Sequence, residues 1–238
     1  MVKISIIIPT LNEENHIKQT IKMIRQMACF PVNEIIVVDS GSTDGTLTIL
    51  KPLSGISYFE KPELKGLKYA ILNFGASLAN GEILFFLDAD SQLPNAYDQD
   101  ILTCLNQPGV IAGAFDLKLS PENMLLNTIS FFNKIRYRIS KNFYGDQGLF
   151  IRKKDFISSG GYPAKPLMES AYYCRKLKKM GKLKVVNLPM LTSSRRFLEG
   201  GIIKVFFKDV FLMLLFNFRI PIHRFAKKYW EYNVKANH

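Results

Sequence analysis

Cysteine is scarce in this sequence: three residues, Cys29, Cys104 and Cys174, are widely spaced and form no Cys-X-X-Cys pair. An odd number of scattered thiols argues against a disulfide framework and against a structural zinc site. A secretory signal is also missing, because the first apolar run, Ile4–Ile8, is short and stops at Pro9. We therefore expect a protein of the reducing cytoplasm.

The sequence also lacks a run of about 20 apolar residues, the length that a membrane-spanning helix needs. The nearest approach, Ile202–Phe218, is interrupted by Lys204, Lys208, Asp209 and Asn217. This stretch fits either a buried helix or an interfacial helix lying on a membrane. The basic and aromatic residues that follow suit either a lipid headgroup layer or plain solvent. The first of these would put the protein in peripheral contact with the inner face of the membrane.

Acidic residues are few relative to basic ones, 20 against 32, which gives a net charge of +12. Such an excess favours acidic partners, among them nucleotide phosphates, nucleic acid and anionic lipid. The basic residues are dispersed along the chain, and no nucleic-acid-binding motif is present. We therefore expect no nucleic-acid partner.

At 238 residues and 47% hydrophobic content, the chain can bury one substantial core. Four apolar runs predict strands: Ile4–Ile8, Glu34–Asp39, Ile56–Glu60 and Ile83–Leu87. Because helical patterns separate them, we expect an α/β fold with a mostly parallel sheet and helices on both faces. No linker is evident, so we expect one domain over residues 1–198 and a helical appendage over residues 199–238.

The remaining elements are assigned from local patterns. Helices are predicted from Asn12 to about Ala28, from Thr46, and over Leu64–Ala79, Asn123–Lys141 and Leu167–Met180. After Gln92, strands are predicted over Val110–Leu119 and Leu149–Arg152, and two short ones over Leu183–Asn187 and Met190–Phe197.

Two carboxylates end the fourth strand: Asp88 and Asp90, separated by Ala89. Ligands of open α/β sheets bind outside the carboxyl ends of the strands, where Asp39 also lies. An anionic pair there is costly unless a positive charge joins it, and a divalent cation held by hard oxygen ligands would also grip a phosphate. The plain alternative is a loop with two solvated aspartates, since Asp-X-Asp is a short motif.

Three segments are more specific together than Asp-X-Asp alone: Ile7–Glu14, Val37–Thr46 and Leu87–Asp90. By their order and spacing, the chain resembles family 2 glycosyltransferases with the GT-A fold. Further segments resemble a bacterial subfamily that has a Gly-Asp-Gln-Gly turn: Gly113–Phe115, Tyr144–Gly148, Gly160–Tyr162, Pro166–Glu169 and Thr192–Phe197. The resemblance extends from Lys3 to about Tyr229.

The resemblance implies a nucleoside diphosphate sugar as donor, with a UDP-sugar favoured, and Mn²⁺ or Mg²⁺ as the assisting ion. By analogy, Asp90 coordinates the metal, and Asp88 contacts the ribose or shares that task. Asp39 would accept hydrogen bonds from the base. Four further residues would line the nucleotide-sugar site: Pro9, Thr10, Glu13 and Ala89.

Basic residues are implied at two more places. Lys68 falls where relatives carry a basic residue facing the nucleotide, although a solvated helix lysine is an equal alternative. Arg195 and Arg196 are candidates for the pyrophosphate, as charge-assisted donors. If they lie on a strand, only one points inward, and Arg196 is preferred because Arg196-Phe197 resembles the family's Arg-Trp.

The general base is where this sequence departs from its family. The family's chemistry is inverting, with a carboxylate that takes the proton of the attacking acceptor hydroxyl. Relatives carry Glu-Asp, whereas this chain has Glu169-Ser170. We rank Glu169 first as the base and Asp146 second. The alternative is a catalytically impaired nucleotide-sugar-binding protein.

The sequence does not identify the acceptor, which could be a glycan or a lipid. The predicted helix Asn123–Lys141, with Phe131, Phe132, Ile135 and Tyr137, could help to form a lipid-acceptor groove, although a core-facing stripe is the commoner role of such residues. A nucleotidyltransferase is the nearest enzymatic rival. It usually needs a glycine-rich phosphate loop, which Pro9–Asn12 does not provide.

Overall fold

The computed structural model describes residues 3–32 and 34–225, and within them eight strands form one sheet flanked by helices. The strands are β1 (Ile4–Thr10), β2 (Glu34–Asp39), β3 (Ser57–Glu60), β4 (Ile83–Phe86), β5 (Ser91–Gln92), β6 (Val110–Ser120), β7 (Leu149–Arg152) and β8 (Lys182–Ser193). The helices are α1 (Ile17–Met27), α2 (Thr46–Leu50), α3 (Lys68–Leu78), α4 (Tyr97–Leu105), α5 (Met124–Ser140), α6 (Lys153–Ser159), α7 (Glu169–Leu177), α8 (Arg195–Gly200) and α9 (Ile202–Asn217).

The first half of the sheet is parallel and confirms the predicted α/β fold. Its strands lie in the order β3-β2-β1-β4, and every neighbouring pair is parallel. The apolar runs of β1, β2 and β4 are buried on both sides, as expected when helices cover both faces of a sheet, whereas the edge strand β3 is partly exposed. Thr10 pairs with Asp39 at the end of the ladder between β1 and β2, so the carboxyl ends of these strands share one rim.

The second half of the sheet is mixed. β7 pairs antiparallel with both β4 and β6, and β8 runs parallel to β6. The short β5 pairs antiparallel with β8, through Ser91 opposite Thr192. Since β5 directly follows Asp90, this pairing ties the Asp-X-Asp segment to the end of β8.

Two predicted elements near the end of the sheet were wrong. Lys182–Ser193 is one strand rather than two, because Asn187 and Leu188 bulge into solvent and the ladder resumes with Pro189 opposite Asp116. The predicted strand over Met190–Phe197 therefore stops at Ser193. Arg195 and Arg196 then begin α8, so strand alternation does not decide which of them points inward.

The core is divided by the sheet into two large apolar clusters, one on each face. One contains Ile7, Val38 and Phe86, and the other contains Ile8, Val37 and Phe85. Two smaller clusters lie apart from them. The first joins α5, α8 and α9 through Leu126, Ile129, Phe197 and Val205, and the second joins α9 to the start of α7 through Leu167 and Leu212.

Helix α9 is fastened to the rest of the chain by polar contacts as well. The Arg175 guanidinium lies 3.9 Å from the Phe216 ring centroid and donates to the Phe216 carbonyl at 3.2 Å. Arg196 donates to both carboxylate oxygens of Asp209, at 2.9 and 2.6 Å. Among the described residues, no helix is both long and apolar enough to cross a bilayer. The basic and aromatic tail beyond residue 225, part of the predicted membrane contact, lies outside the described residues.

Candidate functional site

Two loops at the rim of the parallel half are joined by hydrogen bonds. The Asn12 amide donates to Ser42 Oγ at 2.8 Å, and the Thr43 amide returns a bond to Asn12 Oδ1 at 2.8 Å. The Glu13 amide donates to Thr46 Oγ1 at 2.8 Å. The loops after β1 and β2 therefore form one preorganised wall.

Asp39 organises this wall from within. Its side chain is fully buried, and its Oδ1 accepts bonds from the amides of Gly41 and Ser42 at 2.9 and 2.8 Å. The Ser42 hydroxyl donates to Oδ2 at 2.5 Å. Thr10, on the neighbouring strand, accepts from the Ser40 amide. Both carboxylate oxygens of Asp39 therefore accept hydrogen bonds from the turn that the sequence analysis places beside the nucleotide.

The Asp-X-Asp segment follows β4 at the same rim. Ala89 is buried in the core cluster behind it, and its carbonyl accepts a 2.6 Å bond from the Thr20 hydroxyl. Asp88 and Asp90 are both only partly exposed. The middle residue of the motif is therefore an anchor that holds the two carboxylates at the surface of the rim.

Lys68 is not a solvated helix lysine. Its Nζ lies 2.6 and 2.9 Å from the two oxygens of Asp88. Burial alone would lower the pKa of Lys68, but the carboxylates of Asp88, Glu169 and Asp146 raise it above its usual value. Lys68 is therefore a fixed cation between the rim and the residues proposed as the base.

Gly145 makes this contact possible. A Cβ atom at position 145 would lie 2.6 Å from Lys68 Nζ and 3.1 Å from Asp88 Oδ2. The Gly-Asp-Gln-Gly turn can approach the ion pair only because this position carries no side chain. The turn thereby brings Asp146 to the same site.

Asp90 lies among charged groups of both signs. Burial, followed by the negative charges of Asp88 and Glu13, raises the pKa of Asp90 to about 7, while Arg195 and His16 act in the opposite direction. Arg195 in turn contacts Glu13, with Nη2 3.2 Å from Oε1. Among the described residues, no cluster of three metal-ligating side chains is present. A cation bound here would need oxygen ligands from a bound small molecule as well as from the Asp90 carboxylate.

A cavity of about 250 Å³ begins beside the ion pair and extends under α5 and α9. Its polar end is lined by Lys68, Asp88, Asp146, Glu169, Arg136 and Arg196. Its apolar walls include Leu117, Ile129, Phe197, Phe206, Leu212 and Met213, which come from both small clusters and their neighbours. The site is therefore polar beside the rim and apolar away from it.

Glu169, the first candidate base, lines the polar end and is 7% exposed. Burial raises the pKa of its carboxyl, and the nearby Lys68 opposes this shift. The preceding residue, Met168, has the left-handed backbone angles φ 58° and ψ 31°. This backbone conformation costs free energy for any residue other than glycine. The Met168 side chain packs against the small cluster of Leu167 and Leu212. The turn at Met168 directs Glu169 into the cavity.

Asp146, the second candidate, also faces the cavity. Its Oδ1 is buried and has no hydrogen-bond partner within the described residues. Burial and the negative charge of Asp88 raise the pKa of Asp146 to about 6, against the opposing charges of Arg196, Arg136 and Lys68. An unpaired buried carboxylate oxygen is a costly feature that fits a group awaiting a ligand.

The two arginines of α8 are divided between the two halves of the site. Arg195 is on the donor side, next to Glu13 and Asp90. Arg196 lines the cavity and is paired with Asp209 of α9. The sequence favours Arg196 as the pyrophosphate contact, whereas in the structure Arg195 is the arginine beside Asp90.

Sequence reasoning missed Arg136 and Asp209, which line the cavity from α5 and α9. The Arg136 guanidinium lies 4.2 Å from the Tyr144 ring centroid and so supports the Gly-Asp-Gln-Gly turn. A signal was present in each case, because both are charged residues within apolar helical stretches. Their partners, however, are not given by any local pattern.

Comparison with known proteins gives a consistent result. A family model described as glycosyl transferase family 2 matches residues 5–159. A GalNAc(5)-diNAcBac-PP-undecaprenol beta-1,3-glucosyltransferase of Campylobacter jejuni is 35% identical over 97 residues, which are 39% of this chain and 31% of that protein. The chain spans between 23% and 47% of the length of the first curated relatives that it matches.

Solved structures share the fold. A mannosyltransferase from Pyrobaculum calidifontis, in complex with GDP-Man and Mn²⁺, gives a TM-score of 0.64 at 23% identity and covers 80% of this chain and 56% of that one. Glucosyl-3-phosphoglycerate synthase from Mycobacterium tuberculosis, in complex with Mn²⁺, UDP-glucose and phosphoglyceric acid, gives 0.64 at 20% identity and covers 92% and 81%. Identities this low establish the architecture alone.

Proposed function

This chain belongs to glycosyl transferase family 2 and has the GT-A fold, and from that premise we propose that it transfers a sugar from a nucleoside diphosphate sugar to an acceptor hydroxyl. One observation carries the proposal: Asp88 and the carboxylates of Glu169 and Asp146 line the same cavity, beside the rim that bears Asp90. Donor-side and acceptor-side groups thus meet at one place. The acceptor is a glycan or a lipid, and with a lipid acceptor the protein would contact the membrane peripherally.

The donor would lie along the rim between the loops after β1 and β2 and the Asp-X-Asp segment. Pro9, Thr10 and Asp39 would surround the base and ribose. The structural relatives bind GDP-Man and UDP-glucose in their complexes, which supports a sugar nucleotide of this class. Lys68 and Arg195 supply positive charge near the position of the diphosphate.

The residues present fit a divalent cation. Asp90 offers a partly exposed carboxylate crowded by the negative charges of Asp88 and Glu13, which a cation would relieve. Mg²⁺ and Mn²⁺ sites often use one or two carboxylates together with phosphate oxygens. When bound, such an ion would act as a Lewis acid that stabilises the leaving diphosphate. The Mn²⁺ in the complexes of the structural relatives supports this choice.

The proposed reaction inverts the anomeric carbon. The acceptor oxygen forms a bond to the sugar carbon as the bond to the diphosphate oxygen breaks, and the hydroxyl proton passes to a carboxylate. Glu169 is proposed as this base, because burial makes its carboxylate a better proton acceptor than an exposed glutamate. Asp146 is the second choice. Lys68 stabilises the ionised form of both and so keeps the base ready.

Donor binding is tested with a thermal-shift panel of UDP-, GDP- and dTDP-sugars, each with and without Mn²⁺. A ligand at about 100 times its Kd stabilises the native state by about 2.7 kcal/mol. In a chain of this size we expect a rise in Tm of about 5–10 °C. One base should be preferred, and its shift should depend on Mn²⁺. The matching free nucleosides are the control.

The outcome separates three cases. A metal-dependent shift followed by product formation supports the transferase. A shift without turnover on any glycan or lipid acceptor supports the catalytically impaired binding protein that Ser170 suggests. If no sugar nucleotide in the panel raises Tm above the nucleoside control, the proposed donor site is wrong.

A further inference from the structure

Helix α5 is apolar on two opposite faces. Leu126, Ile129 and Tyr137 are buried against the core. On the other side, large apolar side chains with exposed fractions between 43% and 83% recur at helical spacing: Met124, Phe131, Phe132, Ile135 and Ile139. At about 100° per residue these positions fall within one third of the helix circumference. We call this set the α5 stripe.

Helix α9 has the same construction. Val205, Leu212 and Phe216 are buried. The opposite side exposes Ile203, Phe207, Phe211, Leu214 and, one residue beyond the helix, Phe218, with exposed fractions between 48% and 76%. We call this set the α9 stripe. Soluble surface helices normally place charged and polar residues in this position.

The two helices that carry the stripes also form the cavity. They share a small apolar cluster that contains Leu126, Ile129 and Val205. Asn133 and Arg136 of α5, and Phe206 and Met213 of α9, line the cavity itself. Any surface that covers the stripes would therefore lie next to the acceptor side of the site.

The charges around the stripes have one predominant sign. Lys134 and Arg138 lie beside the α5 stripe, one helical turn apart, and α5 contains no acidic residue. Their inner partner is Asp116, 2.8 Å from each, and both side chains remain partly exposed. Lys204 and Lys208 flank the α9 stripe in the same way, next to the single acid Asp209 of that helix.

We infer that the α5 and α9 stripes together form a docking surface for an anionic lipid bilayer. An apolar, aromatic face with basic flanks is the pattern of a helix lying in the interfacial layer, with its apolar side chains among the acyl chains. The flanking cations then meet anionic headgroups. A net charge of +12 adds long-range attraction to the same partner.

This inference goes beyond sugar transfer and does not require it. It explains why two helices with buried inner faces also expose ten large apolar side chains, which a monomer in water would normally avoid. It also orients the protein, with the exposed faces of α5 and α9 toward the lipid. If the proposed function is correct, this orientation presents the cavity to hydroxyls at the bilayer surface.

The test is flotation of the full chain with vesicles of phosphatidylcholine containing 30 mol% phosphatidylglycerol, against vesicles of phosphatidylcholine alone. We expect binding to the anionic vesicles at low salt and release at high salt, because salt screens the headgroup attraction. The double variants Phe207→Ser/Phe211→Ser and Phe131→Ser/Phe132→Ser should each lose about tenfold or more in partitioning.

Ile157→Ser is the matched control, because Ile157 is an exposed apolar residue on α6, outside both stripes. It should float like the parent chain. Circular dichroism and the Tm of each variant exclude unfolding as the cause. A polarity-sensitive fluorophore on Phe211→Cys should move to shorter wavelength with anionic vesicles, whereas the same label on Ile157→Cys should not.

Two results would overturn the inference. One is the absence of flotation with anionic vesicles at low salt. The other is a stripe-dependent dimer in sedimentation velocity, with stripe variants that float as well as the parent, since the stripes would then cover a second copy of this chain. Neither result bears on donor binding, which the thermal-shift panel measures without lipid.

Discussion

Glu169→Gln is expected to lower kcat for sugar transfer by about 10²–10⁴-fold, the usual cost of losing a general base. The substitution keeps the size of the side chain and removes its ability to accept a proton. Glu169 lines the polar end of the cavity and is nearly buried, so water would not easily replace it. Affinity for the donor, measured by calorimetry, should remain within about twofold, because the proposal places Glu169 at the acceptor hydroxyl rather than at the donor.

Position 170 supplies the matched comparison. Ser170 is buried beside Glu169 and donates to its Oε1 at 3.3 Å. Ser170→Asp introduces the carboxylate that the resemblance implies at this position and should raise the rate, whereas Ser170→Asn, which is equal in size, should not. Unchanged turnover in Glu169→Gln, together with a loss in Asp146→Asn, would transfer the role of base to Asp146.

The pH profile gives a second measurement of the same assignment. A base works only when deprotonated, so kcat/KM should rise with pH through the pKa of the base and then level off. Burial raises the pKa of Glu169, so this limb should lie above the range of an ordinary glutamate. A limb centred near 6 that disappears in Asp146→Asn would instead identify Asp146, whose pKa is raised to about 6.

Asp90→Asn is expected to weaken Mn²⁺-dependent binding of the sugar nucleotide by at least about 10–100-fold, the range seen even for outer-sphere partners of metal sites. Binding of the free nucleoside, which the proposal places against the wall around Asp39, should change little. Calorimetry with both ligands, with and without Mn²⁺, separates the two effects. Asp100→Asn, at a partly exposed acid on α4, is the control. Equal losses of affinity for the nucleoside and the sugar nucleotide would show that Asp90 is not a metal ligand.

The same variant has a signature in stability. The pKa of Asp90 rises from about 4 in the unfolded chain to about 7 in the folded one. Between these values the folded state binds more protons than the unfolded state, so the free energy of unfolding falls as pH rises from about 4 to 7. Asp90→Asn removes this contribution. Without metal, its free energy of unfolding should therefore exceed that of the parent at pH 8 but not at pH 4.

The parallel half of the fold could be predicted because its signals are local. β-branched runs such as Glu34–Asp39 form strands whose side chains are almost all buried, and each run ends at a loop. Asp39, Asp88 and Asp90 could be brought to one rim for the same reason, since the ends of parallel strands share an edge. The continuous β8 could not be predicted, because the bulge at Asn187 and Leu188 depends on its partner β6.

The contacts inside the site could not be predicted from the sequence, for a related reason. Lys68 and Asp88 are separated by 20 residues, and Arg196 and Asp209 by 13, and tertiary packing alone selects these partners. From the sequence, α9 fits either a buried or an interfacial helix, and α5 fits either one wall of a lipid groove or a core-facing helix. Both helices have one buried and one exposed apolar face, so the hydrophobic periodicity of the sequence could not decide between the alternatives.

The left-handed backbone at Met168 has a consequence for engineering. Glycine adopts this conformation without the penalty of about 1–2 kcal/mol that other residues pay, so Met168→Gly would relieve backbone strain at this position. The same change removes a side chain that anchors the turn to Leu167 and Leu212 and gives Glu169 more freedom. A screen for turnover would then rank the variant below its parent. At position 168, backbone strain therefore accompanies the side-chain packing that positions Glu169 for turnover.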